Sequence, residues 1–313
     1  MLVLHSDAHS LALPPGHRFP QDKYRMLRAA LEADPGLIRL QAADAASEGE
    51  LALVHSPSYL DAVLQGYLSA AQQREIGFPW SPSMVERSRR SVGATIMAAR
   101  AALAEGLAAN LAGGTHHAQE DKGSGYCVFN DVAVAARLMQ AEWHRRHGHS
   151  RPALKVLVID LDVHQGNGTA AIFSGDNSVF TFSMHGEKNF PFRKAASDLD
   201  VELPDGCGDE AYLAALDRAL AQVWQRLEPP TGLAFYLAGA DPHEGDRLGR
   251  LKLTTAGLRE RDRRVFEALR ERRIPVALSM AGGYGHDVAV TVALQVSTLR
   301  EAAHSWSAWQ APQ

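Results

Sequence analysis

Aspartate, aspartate and histidine occupy alternate positions in Asp160-Leu161-Asp162-Val163-His164. Two carboxylates and an imidazole crowded together repel and desolvate one another unless something cationic sits among them. A divalent metal is the simplest such cation. In an extended chain these three side chains share one face. The aliphatic run 156–159 before them reads as a strand buried on both faces, and Gly166-Asn167-Gly168 behind them reads as a turn. A lone Asp-x-Asp is more often a solvated loop. The histidine in register, the buried strand and the glycines reverse that preference. Other groups suited to ligation or proton transfer also follow short apolar runs: His116 and His117 after Gly113-Gly114, Ser183 and His185, Asp241, and Tyr284 after Gly282-Gly283. Taken singly, each has a bland reading, a turn with exposed imidazoles or a packed tyrosine.

The elements that must position these groups come next. Apolar runs at 2–5, 107–114, 156–159, 178–184, 232–240 and 275–281 read as strands. Helical spacing marks 24–33, a helix after Pro57 carrying Tyr59, Leu60, Val63, Leu64 and Tyr67, and then 84–105, 130–147 and 209–227. Two more run from Thr254 or Thr255 to about 272 and over 287–302, and the tail after Ala303 reads as loose. Strands alternating with helices predict an α/β fold, a single domain over 1–313 with a largely parallel sheet flanked by helices on both faces. Every candidate group follows the C-terminal end of a strand, the edge where open parallel sheets place their sites. Ser91, Gly93 and Ala94 predict close packing of their helix. The loop Gly77-Phe78-Pro79-Trp80-Ser81-Pro82 reads as a packed corner in preference to a substrate rim. His144, His147 and His149, among arginines at a helix end, read as a solvated cap.

Composition bounds the function. A hydrophobic content of 46% and a charged content of 22% over 313 residues are ordinary for a globular protein with a sizeable core. A net charge of −4 with dispersed Lys and Arg leaves no basic stripe for nucleic acid. Two cysteines, Cys127 and Cys207, build no disulfide framework, and the N-terminus has no signal-peptide pattern. No run is long enough to span a membrane. The expectation is a cytoplasmic protein.

Four pieces in order carry a resemblance: Gly113-Gly114-x-His116-His117; Asp160-x-Asp162-x-His164-Gln165-Gly166-Asn167-Gly168; Gly239-Ala240-Asp241 with Gly245-Asp246-Arg247-Leu248-Gly249; and Gly282-Gly283-Tyr284. Together they resemble the histone deacetylase family of zinc amidohydrolases, over about 14–303. The second and third pieces look most like its class IV branch and bacterial relatives. The resemblance implies zinc held by Asp162, His164 and Asp241, with a fourth position open for catalysis; the oxygen-rich set also suits Fe(II). It implies His117 as general base, His116 as an electrostatic partner oriented by Asp160, and Tyr284 as donor to the developing oxyanion. Tyr126 and Phe190, with Gly125 and Leu248, match the acyl-lysine tunnel and its rim. Asp160, Ser183 and Met184 match a structural potassium site.

The resemblance also carries departures. Class I relatives orient the second histidine with an aspartate, where this chain has Asn167. The segment between His185 and Phe190 is short. Polyamine-selective members place a glutamate where Leu248 stands, and an apolar residue there suits a lysine stem over an ammonium. The leading expectation is a zinc-dependent deacetylase or deacylase acting on lysine side chains of proteins or peptides. The alternatives are an amidohydrolase for acetylpolyamines or similar metabolites, a two-manganese ureohydrolase of the arginase type, which Tyr284 argues against, and a non-catalytic scaffold, which would be expected to lose its ligands. Physiological substrate, acyl length and oligomeric state stay open.

Overall fold

The computed structural model describes residues 1–227 and 231–310. Its strands are β1 (Leu2–His5), β2 (Arg39–Ala42), β3 (Leu107–Asn110), β4 (Lys155–Asp160), β5 (Val179–Gly186), β6 (Leu199–Leu203), β7 (Thr231–Leu237) and β8 (Val276–Ser279). They form one sheet in the order β2-β1-β3-β8-β7-β4-β5-β6, and every pair in it is parallel. The helices are α1 (Asp22–Ala33), α2 (Glu48–Leu51), α3 (Pro57–Gln65), α4 (Ala70–Ile76), α5 (Pro82–Glu105), α6 (Asp131–His147), α7 (Asn167–Ile172), α8 (Asp209–Arg226), α9 (Thr255–Glu271) and α10 (Val288–Gln310). The expected α/β architecture, a parallel sheet with helices on both faces, is the one observed.

Strand alternation divides the core. Val156 and Val158 of β4 join one apolar cluster with residues of α3, α5 and α6. Leu157 and Ile159 join another with residues of α1, α8, α9 and α10. Because both faces are covered, the strand reads as a continuous aliphatic run and not as an alternation. The two edge strands were not expected. β2 is largely exposed and contains Arg39 and Gln41, and β6 carries Asp200 and Glu202. Polar residues are what an edge uses to discourage further pairing. The predicted close packing of α5 is present: a Cβ on Gly93 would lie 1.9 Å from the Asp44 carbonyl oxygen. Tyr67 falls beyond α3 and is 71% exposed, not on its apolar face.

The loose tail after Ala303 is corrected. α10 continues to Gln310, whose side chain donates to the Glu105 carbonyl at 2.8 Å. Trp306 packs on the core, and the Trp309 ring covers Gly106, where a Cβ would meet it at 2.7 Å. Two tryptophans at helical spacing keep the helix docked. The last three residues, 311–313, lie outside the described residues. Removing residues 304–313 should lower stability by about 1–3 kcal/mol through lost apolar burial. Urea unfolding of the shortened chain measures this, and an unchanged midpoint would restore the loose-tail reading.

Candidate active site

β4 ends at Asp160, and the chain then leaves the extended conformation. The expected shared face therefore breaks after its first member. Asp160 turns to His116, its Oδ2 2.6 Å from Nδ1. Asp162 and His164 instead converge with Asp241 from the loop after β7, and the donor atoms of these three buried residues lie within 4.8 Å of one another.

Backbone amides aim the carboxylates. Asp162 Oδ1 accepts from the His164 amide at 2.9 Å and Oδ2 from the Gly282 amide at 2.8 Å. Asp241 Oδ1 accepts from the Val163 amide at 3.0 Å. Asp241 Oδ2 is buried with no hydrogen-bond partner among the described residues, although it lies 3.3 Å from His164 Nδ1. A Cβ on Gly282 would fall 1.9 Å from that oxygen, so only glycine leaves the carboxylates room. Burial works against charge on His164, yet its hydrogen bond to Asp162 and the neighbouring Asp241 carboxylate push its ring up to about 10. Burial raises Asp241, and the neighbouring Asp162 charge raises it further. An orphaned carboxylate oxygen beside an imidazole nitrogen set between two acids marks a place for a cation. The Asp-His-Asp set fits a divalent metal, with His164 offering Nδ1.

The two histidines before this centre are shifted in opposite directions. His117 Nδ1 lies 2.7 Å from Asn167 Oδ1, an oxygen that only accepts, so Nδ1 carries the hydrogen and Nε2 is left as the basic nitrogen. Burial, followed by the charges of His116 and His164, lowers His117 well below the ordinary imidazole range. His116 is equally buried, but the Asp160 carboxylate outweighs that cost and raises it to about 9. Such divergence within a pair is how acid and base assignments are read. Tyr284 is raised well above the usual phenol by burial, so its hydroxyl remains a donor.

His116, His117, Asp162, His164, Gly125, Tyr126 and Tyr284 line one cavity of about 70 Å³. Its other walls include Phe19, Tyr24, Phe78 and Arg87, which the sequence alone did not single out as site residues. Phe78 belongs to the loop read as a packed corner. It is buried as expected, and it also walls the cavity. Tyr126 adopts φ 67°, held by its amide on the Ile76 carbonyl at 2.7 Å, and its ring stacks 5.3 Å from Phe78. Phe190 meets His117 edge-on at 4.9 Å, and Gly125 lies against both: a Cβ there would be 2.6 Å from the His117 ring. Leu248 is half-buried, and its carbonyl accepts from the buried Asn189 amide at 2.8 Å, which ties it to the Phe190 loop. Phe190 and Leu248 stand outside the cavity lining. Ser183 pairs with Asp160 across β4 and β5, with Met184 next in β5, and Ser183 Oγ lies 2.9 Å from His185 Nδ1. His144 and His149 are exposed at the end of α6 and belong to no such centre among the described residues.

Three residues that hold the site were not read as such from the sequence. Asp131 is fully buried at the start of α6, and its carboxylate accepts from the Gly114 and Thr115 amides at 3.0 and 2.7 Å, fixing the loop before His116. Asp246 accepts from the Tyr284 amide at 2.6 Å and from the Leu248 and Gly249 amides. Lys23 of α1 is buried and donates to the Gly283 carbonyl at 3.2 Å. Asn130-Asp131 carried only a helix-start signal, Asp246 only its place in the Gly245–Gly249 piece, and Lys23 none.

Residues 17–299 match the model of the histone deacetylase domain. An uncharacterized protein of Picosynechococcus sp. is 44% identical over 92% of this chain and 93% of its own. A histone deacetylase-like amidohydrolase of Pseudomonas aeruginosa is 32% identical over 83% of this chain and 73% of its own. An HDAC homolog solved in complex with SAHA superposes with a TM-score of 0.77 at 24% identity, covering 98% of this chain and 88% of that one, a likeness of fold. No described helix is long and apolar enough to cross a membrane. The domain match over most of the chain, together with the donor set and histidine pair at the strand ends, establishes that the chain belongs to the histone deacetylase family of amidohydrolases.

Proposed function

We propose that the chain is a zinc-dependent lysine deacylase that removes acetyl or longer acyl groups from lysine side chains of peptides or proteins. One observation carries this reading: His117, its Nδ1 on Asn167, and His116, its Nδ1 on Asp160, flank the Asp-His-Asp donor set, with the Tyr284 phenol in the same cavity. A divalent cation held by Asp162, His164 and Asp241 supplies the Lewis acidity that polarises an acyl carbonyl and acidifies a water. The chain's own groups do the remaining work. His117 Nε2 takes the proton from the attacking water and delivers it to the leaving amine. Tyr284 donates to the carbonyl oxygen as negative charge develops there. His116, kept charged by Asp160, adds a fixed positive field. Zinc is the reading for the cation, with Fe(II) the alternative. Asp160, Ser183 and Met184 are the reading for a structural potassium site, and the compartment is the cytoplasm.

Tyr126 and Phe190 supply flat apolar surfaces for a four-methylene stem. Leu248 offers no ion pair to a polyamine ammonium, and the nearby Glu244 is exposed. The wild type should therefore prefer acyl-lysine peptides to acetylspermidine by kcat/KM. Leu248→Glu should narrow or invert that preference by about 1–3 kcal/mol of differential transition-state binding. A panel of fluorogenic acyl-lysine peptides and acetylpolyamines, run on the metal-defined enzyme, decides it. A wild type that hydrolyses an acetylpolyamine better than every acyl-lysine moves the protein to the small-molecule class.

A further inference from the structure

Arg261 of α9 is fully buried and stands outside the cavity. Its guanidinium reaches two backbone carbonyls where the β4–β7 ladder ends: Nη1 lies 2.7 Å from Gly239 O and 3.4 Å from Leu161 O. The Leu161 amide still pairs with Leu237, but the strands then part and their next carbonyls need other donors. Leu161 immediately precedes Asp162, and Gly239 stands two residues before Asp241. One side chain thus grips both loops that bring carboxylates to the donor set.

We infer that Arg261 is a positioning residue for the metal centre, fixing the spacing of Asp162 and Asp241 by clamping the backbones that carry them. The inference rests on reading Asp162, His164 and Asp241 as metal ligands. Local side chains cannot set this spacing. A Cβ on Gly239 would lie 2.6 Å from both Asp162 Oδ2 and Asp241 Oδ1, so the crossing must stay bare and be aligned from behind. The clamp is itself anchored. Asp262 Oδ1 accepts from Arg261 Nε at 2.9 Å and from the Tyr236 hydroxyl of β7, and Oδ2 accepts from Thr298 of α10. A buried ion pair alone is weak evidence of anything but tolerance, since an apolar pair of similar volume often replaces it without loss. Such an apolar pair could not satisfy the carbonyls of Gly239 and Leu161. That difference separates positioning from packing.

The test therefore removes the charge pair as a unit. Arg261→Met/Asp262→Asn leaves no uncompensated buried charge and keeps an acceptor for Tyr236. The stripped protein is titrated with Zn2+ against a chromophoric chelator, and Co2+ is added to read ligand geometry from its visible absorption. Zn2+ affinity should fall about 10–100-fold, as for other groups that orient ligands from behind, and the Co2+ bands should shift. Thr298→Val loosens only the far end of the network, so it should lower the urea midpoint and leave both metal readouts unchanged. Arg261→Lys keeps the charge with a single reaching donor and should bind Zn2+ with intermediate affinity, which decides the matter if the double variant does not fold. Wild-type Zn2+ affinity and Co2+ bands in the double variant, or in Arg261→Lys, would overturn the inference. So would an equal loss of affinity in Thr298→Val. A wild type that binds no stoichiometric Zn2+ is a different result, and it would remove the metal centre itself.

Discussion

The Asp241→Ala protein should purify folded, depleted of metal and close to background in turnover. Wild-type chain should carry one divalent ion, be inhibited by hydroxamates and lose activity to chelators. Asp241 is one of the three proposed donors, and its Oδ2 has no hydrogen-bond partner among the described residues. Removing it takes away a charged ligand and leaves a two-donor site. The cation's contribution to such a reaction is worth several kcal/mol of barrier, on the order of 10³ or more in rate. Alanine also abandons the Val163 amide, which Asp241 Oδ1 accepts at 3.0 Å. Asp241→Asn restores that acceptor and should recover the stability of the fold without recovering the metal. Elemental analysis of both variants settles the assignment, and full occupancy in Asp241→Ala would remove Asp241 from the donor set.

Much of this centre was legible because parallel sheets gather strand ends. Gly113-Gly114, Asp160, Asp241 and Gly282-Gly283 each follow a short apolar run, and in a parallel sheet such ends must meet along one edge. What the strand period could not tell was where extension stops. It placed Asp160 beside Asp162 and His164, whereas the strand ends at Asp160 and the next two groups swing to Asp241. Cavity walls from Phe19, Tyr24 and Arg87 were hidden for another reason. They come from a loop and from helices distant in sequence, and no periodicity marks the side of a loop that faces a cavity. Edge strands β2 and β6 were too polar to resemble buried ones. Arg261 shows a signal that was present and passed over. Within Arg259-Glu260-Arg261-Asp262-Arg263-Arg264 the charges look like a solvated face. Yet Leu258, Arg261, Asp262, Val265, Phe266 and Leu269 fall on one helical stripe, all buried. A charged pair on an apolar stripe has a partner waiting in the core.

His117→Ala and Tyr284→Phe should both fold, bind metal and turn over slowly, each losing about 10²–10⁴ in kcat. The two losses have different physical origins. Burial, with the charges of His116 and His164, holds His117 well below the ordinary imidazole range, and its Nδ1 faces Asn167 Oδ1, so its Nε2 is free to accept a proton. Alanine removes the imidazole proposed to exchange a proton with water and leaving amine. Tyr284 keeps its hydroxyl hydrogen because burial disfavours the phenolate. Phenylalanine keeps the ring, with its packing against Tyr126 at 5.9 Å, and deletes only the donor. Its effect should therefore fall on kcat with KM little changed, the pattern of a contact made chiefly in the transition state. Neither residue is among the three donors, so zinc content should match the wild type in both. Combining the two substitutions should cost less than the product of the single losses, because they serve the same transition state. Steady-state kinetics on an acyl-lysine peptide, with metal content measured on the same samples, tests all of this. A near wild-type kcat in His117→Ala would hand the proton to another group, and the same result in Tyr284→Phe would leave the oxyanion to be stabilised elsewhere.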